Sequence, residues 1–343
     1  MAGIIFQTSF DHYSTTTHRF NSTAGVGPPT TTTVGAGRNS TAGLRFTNST
    51  SALVARTLPT TPADIWFAFA NRVATLPTGT NSRVIAELRN AGTRSIHVRV
   101  RADGTLGIYS GGTTGILNGT LLGNLSGFAM LTNTFYHFEL YIRFSATVGL
   151  VQFRVNEVEK LNLTGQNTGA TNASEIILAH AGDAVTVNSD FDDIVVRDDD
   201  WNGDVQVRAF LPTGIGATNQ WTATGAATTR EAVDEAAPNS DTDYIEEATV
   251  NELSLFTYDS IPATSEIRAV VPLPFAKKTD AGTAKIKSTV RLSATNYDGA
   301  EQAPSNGSYE YHPDILMVSP DTAVAFTAAE WNAPIEIGPK RTA

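Results

Sequence analysis

The feature that most constrains the fold is a strict two-residue alternation between residues 136 and 144. Apolar side chains occupy every second position there: Tyr136, Phe138, Leu140, Ile142 and Phe144. The positions between them carry mainly polar or charged side chains, and residues 151–155 alternate in the same way after a short loop. Because successive side chains of a strand point to opposite faces of a sheet, the two segments predict an antiparallel pair with one buried face.

Further strand patterns recur in the first two hundred residues, with turn signals between them. Residues 64–72 are apolar on both faces, which predicts a central strand. Residues 96–101 alternate, and Asp103-Gly104 then predicts a hairpin turn into residues 106–109. Charged residues make up only 17% of the chain, below the usual quarter, and Thr, Ser, Asn and Gly take their place. This pattern, without a convincing helix, predicts an all-β fold, a β-sandwich or jelly roll.

An acidic run marks the point at which the chain divides. Residues 190–196 read as the last strand of a large β domain, and three consecutive aspartates follow shortly after. Unpaired carboxylates are costly to bury, so the run predicts that this strand ends in solvent near residue 200. A length of 343 residues also exceeds one ordinary core. We therefore predict a first domain over residues 1–200 and a second, smaller one over residues 201–343.

The net charge of -10 is unevenly shared between these two parts. Residues 1–200 hold 14 of the 24 Lys and Arg and 15 of the 34 Asp and Glu, so nearly all the excess negative charge follows residue 200. Phosphate contacts need a basic surface, so nucleic acid is not expected as a partner. The absence of cysteine excludes disulfides. No stretch approaches the roughly 20 apolar residues of a membrane helix, and the N-terminus lacks a signal-peptide pattern, so no membrane insertion is expected.

The second part carries weaker signals. Three segments read as strands and the C-terminal end reads as extended: residues 205–209, 266–271, 286–292 and 334–343. Two Thr-x-x-Glu matches, at residues 228–231 and 327–330, have the capping-box pattern that begins a helix. The sequence therefore predicts a mainly-β second domain with one or two short helical turns.

The order of several segments in the first part carries a resemblance. They are Phe10-Asp11-His12-Tyr13, Gly43-Leu44-Arg45-Phe46, the aromatic strand near residue 66, the hairpin at residues 96–109, the strand that starts at Tyr136, and the closing strand from Phe191 to Val196. In this order they resemble the concanavalin A-like, laminin-G-like jelly roll as it occurs in bacteriophage virion proteins. The resemblance covers residues 1–200 and implies a two-sheet sandwich, a fold that hosts lectins, glycosidases and structural modules alike.

The second part resembles a C-terminal module of tailed-phage minor tail and virion-associated proteins. The residues concerned are Pro212, Trp221, residues 233–235, 241–244, 267–270 and 320–322, Trp331 and Gly338. Phe326 stands where that module usually has a tryptophan, and both are large aromatic anchors. Together the resemblances imply a non-enzymatic structural protein of a tailed-phage virion, either a minor tail or tail-associated protein or a capsid decoration protein. Other virion proteins would be its partners, in a homo-oligomeric assembly that the second domain docks onto the particle.

Candidate metal ligands are concentrated in one acidic cluster: Asp190, Asp192, Asp193, Asp198, Asp199 and Asp200. Hard carboxylate ligands from adjacent loops suit calcium, but a strand end followed by a solvated hinge explains the run as well, and the spacing matches no EF-hand loop. The histidines are scattered, without metal-ligand spacing: His12, His18, His97, His137, His180 and His312. No metal or other cofactor is predicted.

Catalysis and sugar binding have candidate residues but no motif. A glycosidase needs two carboxylates across a groove; Glu87, Glu139 and Glu157 lie on or near predicted strands, and nothing singles out a pair. No catalytic, cofactor-binding or metal-binding residue is therefore assigned.

The aromatic residues keep a rival function open. Trp66, Tyr109 and Trp221 are candidates for stacking on sugars, although such residues more often lie in cores or interfaces. The alternative to a virion structural role is therefore a carbohydrate-binding, host-recognition lectin, and host surface glycans are a candidate partner. A glycan hydrolase is a third reading.

Overall fold

The computed structural model of the chain describes two compact units, Met1–Arg208 (unit 1) and Ala209–Ala343 (unit 2). The described residues are 3–12, 16, 19–20, 22–26, 32–38, 41–49, 51–112, 118–182, 187–279, 281–333 and 335–343. In these residues no helix has the length and apolar character needed to cross a bilayer.

Unit 1 is built from strands alone within its described residues. They are β1 (Ile4–Thr8), β2 (Ser22–Val26), β3 (Thr33–Val34), β4 (Ala42–Ser49), β5 (Ser51–Thr57), β6 (Asp64–Val73), β7 (Ser82–Asn90), β8 (Thr93–Arg101), β9 (Leu106–Ser110), β10 (Thr120–Asn124), β11 (Tyr136–Arg143), β12 (Gly149–Val155), β13 (Val158–Gln166), β14 (Glu175–Ala181) and β15 (Val187–Arg197). Sheet 1 has the order β13-β12-β11-β6-β15-β4-β3, and β1 also pairs with β15. Sheet 2 has the order β10-β9-β8-β7-β14-β5-β2.

The two sheets enclose an aromatic core, as the alternating patterns predict. Phe138 on β11 contacts Phe69 on β6 and Phe153 on β12, each with ring centroids 5.6 Å apart. Phe191 on β15 and Phe46 on β4 extend this cluster, and all five rings are fully buried. Burying a large apolar side chain contributes roughly 1.5–3 kcal/mol before the entropy of ordering is subtracted, so this layer stabilises unit 1 without disulfides.

The strongest sequence patterns correspond to paired strands. β11 pairs with both β12 and β6, and β6 pairs in turn with β15, so the segment apolar on both faces, residues 64–72, is indeed a central strand. β8 pairs with β9 across the predicted hairpin turn, where Gly104 has a φ of 80°. The all-β prediction, with a jelly-roll sandwich before a smaller mainly-β part, is confirmed.

Unit 2 has shorter strands and more irregular chain. Its elements are β16 (Gly214–Asn219), β17 (Thr222–Thr224), β18 (Tyr244–Glu246), β19 (Ser254–Thr257), β20 (Phe275–Ala276), β21 (Ile286–Leu292), β22 (Thr295–Asp298), β23 (Glu310–Tyr311), α1 (Ala328–Asn332) and β24 (Glu336–Arg341). The main sheet has the order β16-β19-β24-β21-β22. Thr327 caps α1 with the predicted capping box, and Trp331 packs into the core beside Phe326.

Several predictions for unit 2 are wrong. Residues 266–271 make only isolated bridges, through Glu266 and Val270, because no strand of the described chain lies beside them. Residues 205–209, most of which belong to unit 1, form no strand. Residues 228–231 form a turn rather than a helix. The extended C-terminal end is a central strand, since β24 pairs with both β19 and β21.

Candidate functional site

The outer face of sheet 2, on the side away from the sandwich interior, carries a set of buried charged side chains. Register pairs Glu87 on β7 with His97 on β8, and His97 with Tyr109 on β9. Their neighbours in sequence, such as Val98, point into the core instead. Because side chains alternate along a strand, Arg99 and Arg101 lie on the same outer face as His97.

Glu87 lies between two arginines on this face. The Nε of Arg89 donates a hydrogen bond to Glu87 Oε2 at 2.6 Å, and Arg94 donates to Glu87 Oε1. A register shift between β7 and β8 places the two arginines opposite each other, so both reach the same carboxylate. All three side chains are buried. One carboxylate therefore serves two buried guanidinium groups.

Arg99 adds a third buried guanidinium. It lies 4.0 Å from the centroid of the Tyr109 ring and donates to the carbonyl oxygen of Asn118. No carboxylate among the described residues forms an ion pair with it. Burial, helped by the positive charges of Arg94 and Arg101, lowers the pKa of Arg99. We call Arg89, Arg94 and Arg99 the arginine cluster.

His97 is held neutral at the centre of this face. Burial, together with Arg94 and Arg99, lowers the pKa of His97 to about 2. Its ring stacks on Tyr109 with centroids 5.3 Å apart, and its two ring nitrogens have no hydrogen-bond partner among the described residues. Gly119 covers it closely, since a Cβ at that position would lie 2.9 Å from His97 Cε1.

A cavity of about 400 Å³, here called the sheet 2 cavity, opens beside the arginine cluster. Its lining comes from the start of β8, the end of β9, the start of β10 and the loop after β13: Thr93, Arg94, Ser95, Ser110, Gly111, Gly112, Gly119, Thr120, Asn167, Gly169 and Thr171. Six of these residues present a neutral hydroxyl or amide, four are glycines, and one is an arginine. The cavity thus offers hydrogen-bonding groups with one buried charge.

The three candidate carboxylates of the sequence do not converge. Glu87 lies on sheet 2, whereas Glu139 lies on β11 of sheet 1 and Glu157 lies in the exposed turn between β12 and β13. The N–H of Gly203 donates to Glu139 Oε1 at 2.9 Å, and the N–H of Asp204 donates to Glu157 Oε1 at 3.1 Å. Burial raises the pKa of Glu139. Glu139 and Glu157 therefore both accept hydrogen bonds from backbone amides of the segment that follows β15.

Three of the six aspartates of the acidic cluster, Asp190, Asp192 and Asp193, are buried, so a solvated strand end accounts only for residues 198–200. Asp190 accepts hydrogen bonds from Arg45 and Arg72 at 2.6 Å. Asp199 pairs with Arg197 at the true end of the strand. Within the described residues no group of three or more His, Asp or Glu could hold a metal ion.

Asp192 and Asp193 are buried side by side at a bulge in β15, where Asp193 has a φ of 51°. Burial and the neighbouring Asp193 raise the pKa of Asp192 to about 9, and burial raises that of Asp193 to about 6. Arg38 donates its backbone N–H to Asp192, and Val207 donates its own to Asp193. Backbone donors thus take the place of solvent for these carboxylates.

The histidines and aromatic candidates are also dispersed. His18 lies outside the described residues, and the other histidines form no metal-binding group among those described. Trp66 stacks on Tyr141 at 4.3 Å on sheet 1, whereas Tyr109 lies on sheet 2. Trp221 belongs to unit 2, where its Nε1 donates to the backbone carbonyl oxygen of Glu252. Of the aromatic candidates, only Tyr109 lies on the same face as the arginine cluster.

Sequence reasoning missed the arginine cluster, although a signal was present. Five of the 14 basic residues in positions 1–200 lie within residues 83–101, and all five are arginines on the consecutive strands β7 and β8. Arginine is the residue best suited to bind planar anions.

No family model and no curated protein matches the sequence. Similar solved structures include Cip1, a cellulose-induced protein, with a TM-score of 0.45 and 11% identity over 56% of this chain and 97% of that chain. Another is an endo-β-1,4-glucuronan lyase from the fungus Trichoderma reesei, with a TM-score of 0.41 and 12% identity over 55% of this chain and 95% of that one. A third is domain 4 of the arabinanase AbnA from Geobacillus stearothermophilus, in complex with arabinotriose, with a TM-score of 0.39 and 14% identity over 57% and 93%. At these identities the likeness concerns the fold alone.

The prediction that the chain is not an enzyme is wrong as an inference from its fold and motifs. The solved structures similar to it include the glucuronan lyase, which is an enzyme. The lack of a short catalytic motif in the sequence is not evidence against catalysis in this fold. A jelly roll can bring acidic and basic groups together on strands far apart in sequence, so it requires no short motif.

Proposed function

We propose that unit 1 binds carbohydrate in the sheet 2 cavity. The observation that carries the proposal is the lining, in which six neutral hydroxyl or amide side chains surround the space and no large apolar side chain contributes. A sugar presents hydroxyl groups in every direction and needs donors and acceptors around it. A lining of this composition suits such a ligand better than an apolar one.

Exposed backbone around the cavity supports the same reading. Glycine occupies four lining positions, at residues 111, 112, 119 and 169, so peptide groups as well as side chains are available to a ligand. Gly112 and Gly119 have φ values of 99° and 117°, a backbone conformation that favours glycine. A Cβ at Gly112 would lie 2.6 Å from Asn118 Oδ1 and one at Gly119 would lie 2.9 Å from His97 Cε1, so close packing also requires glycine at these two lining positions.

Binding of the full chain to a panel of oligosaccharides and polysaccharides tests the proposal. Saturable binding should be lost in Thr171→Trp, because the exposed Thr171 lines the cavity and the larger side chain would fill it. Thr164→Trp is the matched control, since Thr164 is exposed on β13 and does not line the cavity. Binding to no member of the panel, or equal loss in both variants, would overturn the proposal.

The tailed-phage virion role, with virion proteins as partners in a homo-oligomer, stays a prediction from the sequence resemblance. Carbohydrate binding is compatible with it, because a host-recognition module on a particle would bind surface glycans. Negative-stain images of purified particles labelled with an antibody against this chain would test it. Labelled particles would support the role, and their absence from a phage that encodes the chain would contradict it.

A further inference from the structure

We propose that unit 2 binds a lysine or arginine side chain of a partner protein, in a groove between α1, the β21–β22 hairpin and β16. The groove is a second cavity, of about 510 Å³, and is here called the unit 2 groove. This interaction is independent of carbohydrate binding by unit 1.

One part of the groove is apolar and lined by small side chains. Four alanines, at positions 217, 294, 329 and 333, contribute to it together with Leu292. All four alanines are exposed, so the groove is open to an incoming group. Methyl groups give apolar contact and leave room for a long, thin aliphatic chain such as the stem of a lysine or arginine.

The other part of the groove carries three carboxylates and one guanidinium group. Arg291 lies 3.7 Å from Glu336, so these two opposite charges balance each other. The ion pairs of unit 2 among the described residues include neither Asp321 nor Glu330. The groove therefore presents two negative charges that have no cation of their own.

Hydrogen bonds hold these two carboxylates in place. The hydroxyl group of Tyr297 donates to Asp321 Oδ1 at 2.5 Å, and the N–H of Thr327 donates to Glu330 Oε2 at 2.8 Å. An ionised carboxylate has about four lone-pair sites, so each retains acceptor capacity for a further donor. Asp321 is exposed and Glu330 is partly exposed, so a cationic group that enters the groove reaches both.

Charge complementarity identifies the occupant as basic. Unit 2 carries 18 Asp and Glu against nine Lys and Arg, so its field attracts cations. A second copy of this chain has a net charge of -10 and is repelled by the same field.

The surface around the groove favours a protein over a small cation. Ile215 lies on the same face of β16 as Ala217 and is 44% exposed. Val324 follows Asp321 by three residues and is 60% exposed. A small cation would leave these apolar side chains in water, whereas a protein segment that inserts a basic side chain also covers them.

Defined probes test the proposal on the full chain by isothermal titration calorimetry at physiological ionic strength. They are a short peptide of alternating lysine and alanine, the same peptide with its lysines acetylated, and spermidine. We expect the basic peptide to bind at least roughly tenfold more tightly than the acetylated one, as one charge-assisted hydrogen bond implies. Equal binding of the two peptides, or no binding of either, would overturn the proposal. Spermidine that binds as tightly as the basic peptide would make a small cation the occupant and overturn the assignment to a protein.

Removal of one charge locates the site. Asp321→Asn should weaken binding of the basic peptide at least roughly tenfold, because it removes a charge from the groove and keeps the shape of the side chain. Glu231→Gln is the matched control, since Glu231 is exposed in unit 2 and does not line the groove. Equal weakening in both variants would show general attraction to an acidic surface and overturn the assignment to the groove.

A second pair of variants tests the apolar part of the groove without changing any charge. Ala329→Trp should fill the space and also weaken binding of the basic peptide at least roughly tenfold. Ala263→Trp is its control, because Ala263 is exposed in unit 2 and does not line the groove. Unaltered binding in Ala329→Trp, or equal weakening in both variants, would contradict the proposal.

Discussion

Replacing Glu87 with glutamine is the most informative single change in unit 1. Glu87 is 2% exposed, and its two oxygens accept hydrogen bonds from Arg89 and Arg94. Glutamine keeps the shape but removes the charge, so two buried guanidinium groups lose their shared counter-charge. Removing one partner of a buried ion pair costs about 3–5 kcal/mol, so we expect a loss of that size in the free energy of unfolding.

Differential scanning calorimetry is the appropriate measurement, because unit 1 and unit 2 can unfold in separate transitions. For a unit of this size each kcal/mol shifts the melting temperature by about 2–4 °C, so the unit 1 transition should fall by roughly 6–20 °C and the unit 2 transition should not move. Glu159→Gln is the matched control, because Glu159 is exposed on β13 and should change the transition by less than about 2 °C. A loss below about 1 kcal/mol in Glu87→Gln would refute the reasoning that this carboxylate balances buried charge.

Three further changes test other parts of the structure. The pKa values of Asp192 and Asp193 are raised to about 9 and about 6 from an ordinary 3.8. Both groups therefore favour the folded state below pH 4, and this contribution is lost as the pH rises through 6 and then 9. Asp192→Asn should flatten the pH dependence of the free energy of unfolding, measured from urea unfolding curves. Trp201→Ala removes a ring whose centroid lies 3.9 Å from the guanidinium carbon of Arg154 on sheet 1. The loss of this contact should destabilise unit 1 by about 1–2 kcal/mol in the same assay. Thr327→Ala removes the cap of α1 and should cost unit 2 about 1 kcal/mol, with Thr283→Ala as the control, because Thr283 is exposed and lies outside α1.

The sequence predicts those elements of the fold whose signal is local. The alternation from Tyr136 to Phe144 defines a strand because every second side chain enters the same core, and the capping box at Thr327 defines a helix start because both of its bonds lie within four residues. Residues 266–271 look equally strand-like, yet a strand also needs a neighbour of matching length. Only single bridges are available to them, and no property of the segment itself reveals this.

The candidate site could not be predicted because burial on the outer faces comes from segments distant in sequence. Alternation correctly places Glu87, His97 and Arg99 opposite the core, but the usual inference that such a face is solvated fails here, since Asn118 and Gly119 cover it. A charged residue on the polar side of a strand pattern is therefore ambiguous. The density of arginines within residues 83–101 is the one sequence feature that distinguishes this face from an ordinary solvated one.

The same reasoning explains why unit 1 extends past the acidic run and predicts where the chain can be cut. Residues 201–207 form no strand, but their amides donate to Glu139, Glu157 and Asp193, whose carboxylates would otherwise lack these donors. Glu139 and Asp193 are buried, and each buried acceptor left unsatisfied costs about 1–3 kcal/mol. A chain that ends at residue 208 should therefore melt well above one that ends at residue 200, by calorimetry at equal concentration. Equal melting temperatures would mean that water replaces these donors without loss, and that unit 1 ends where the aspartates do.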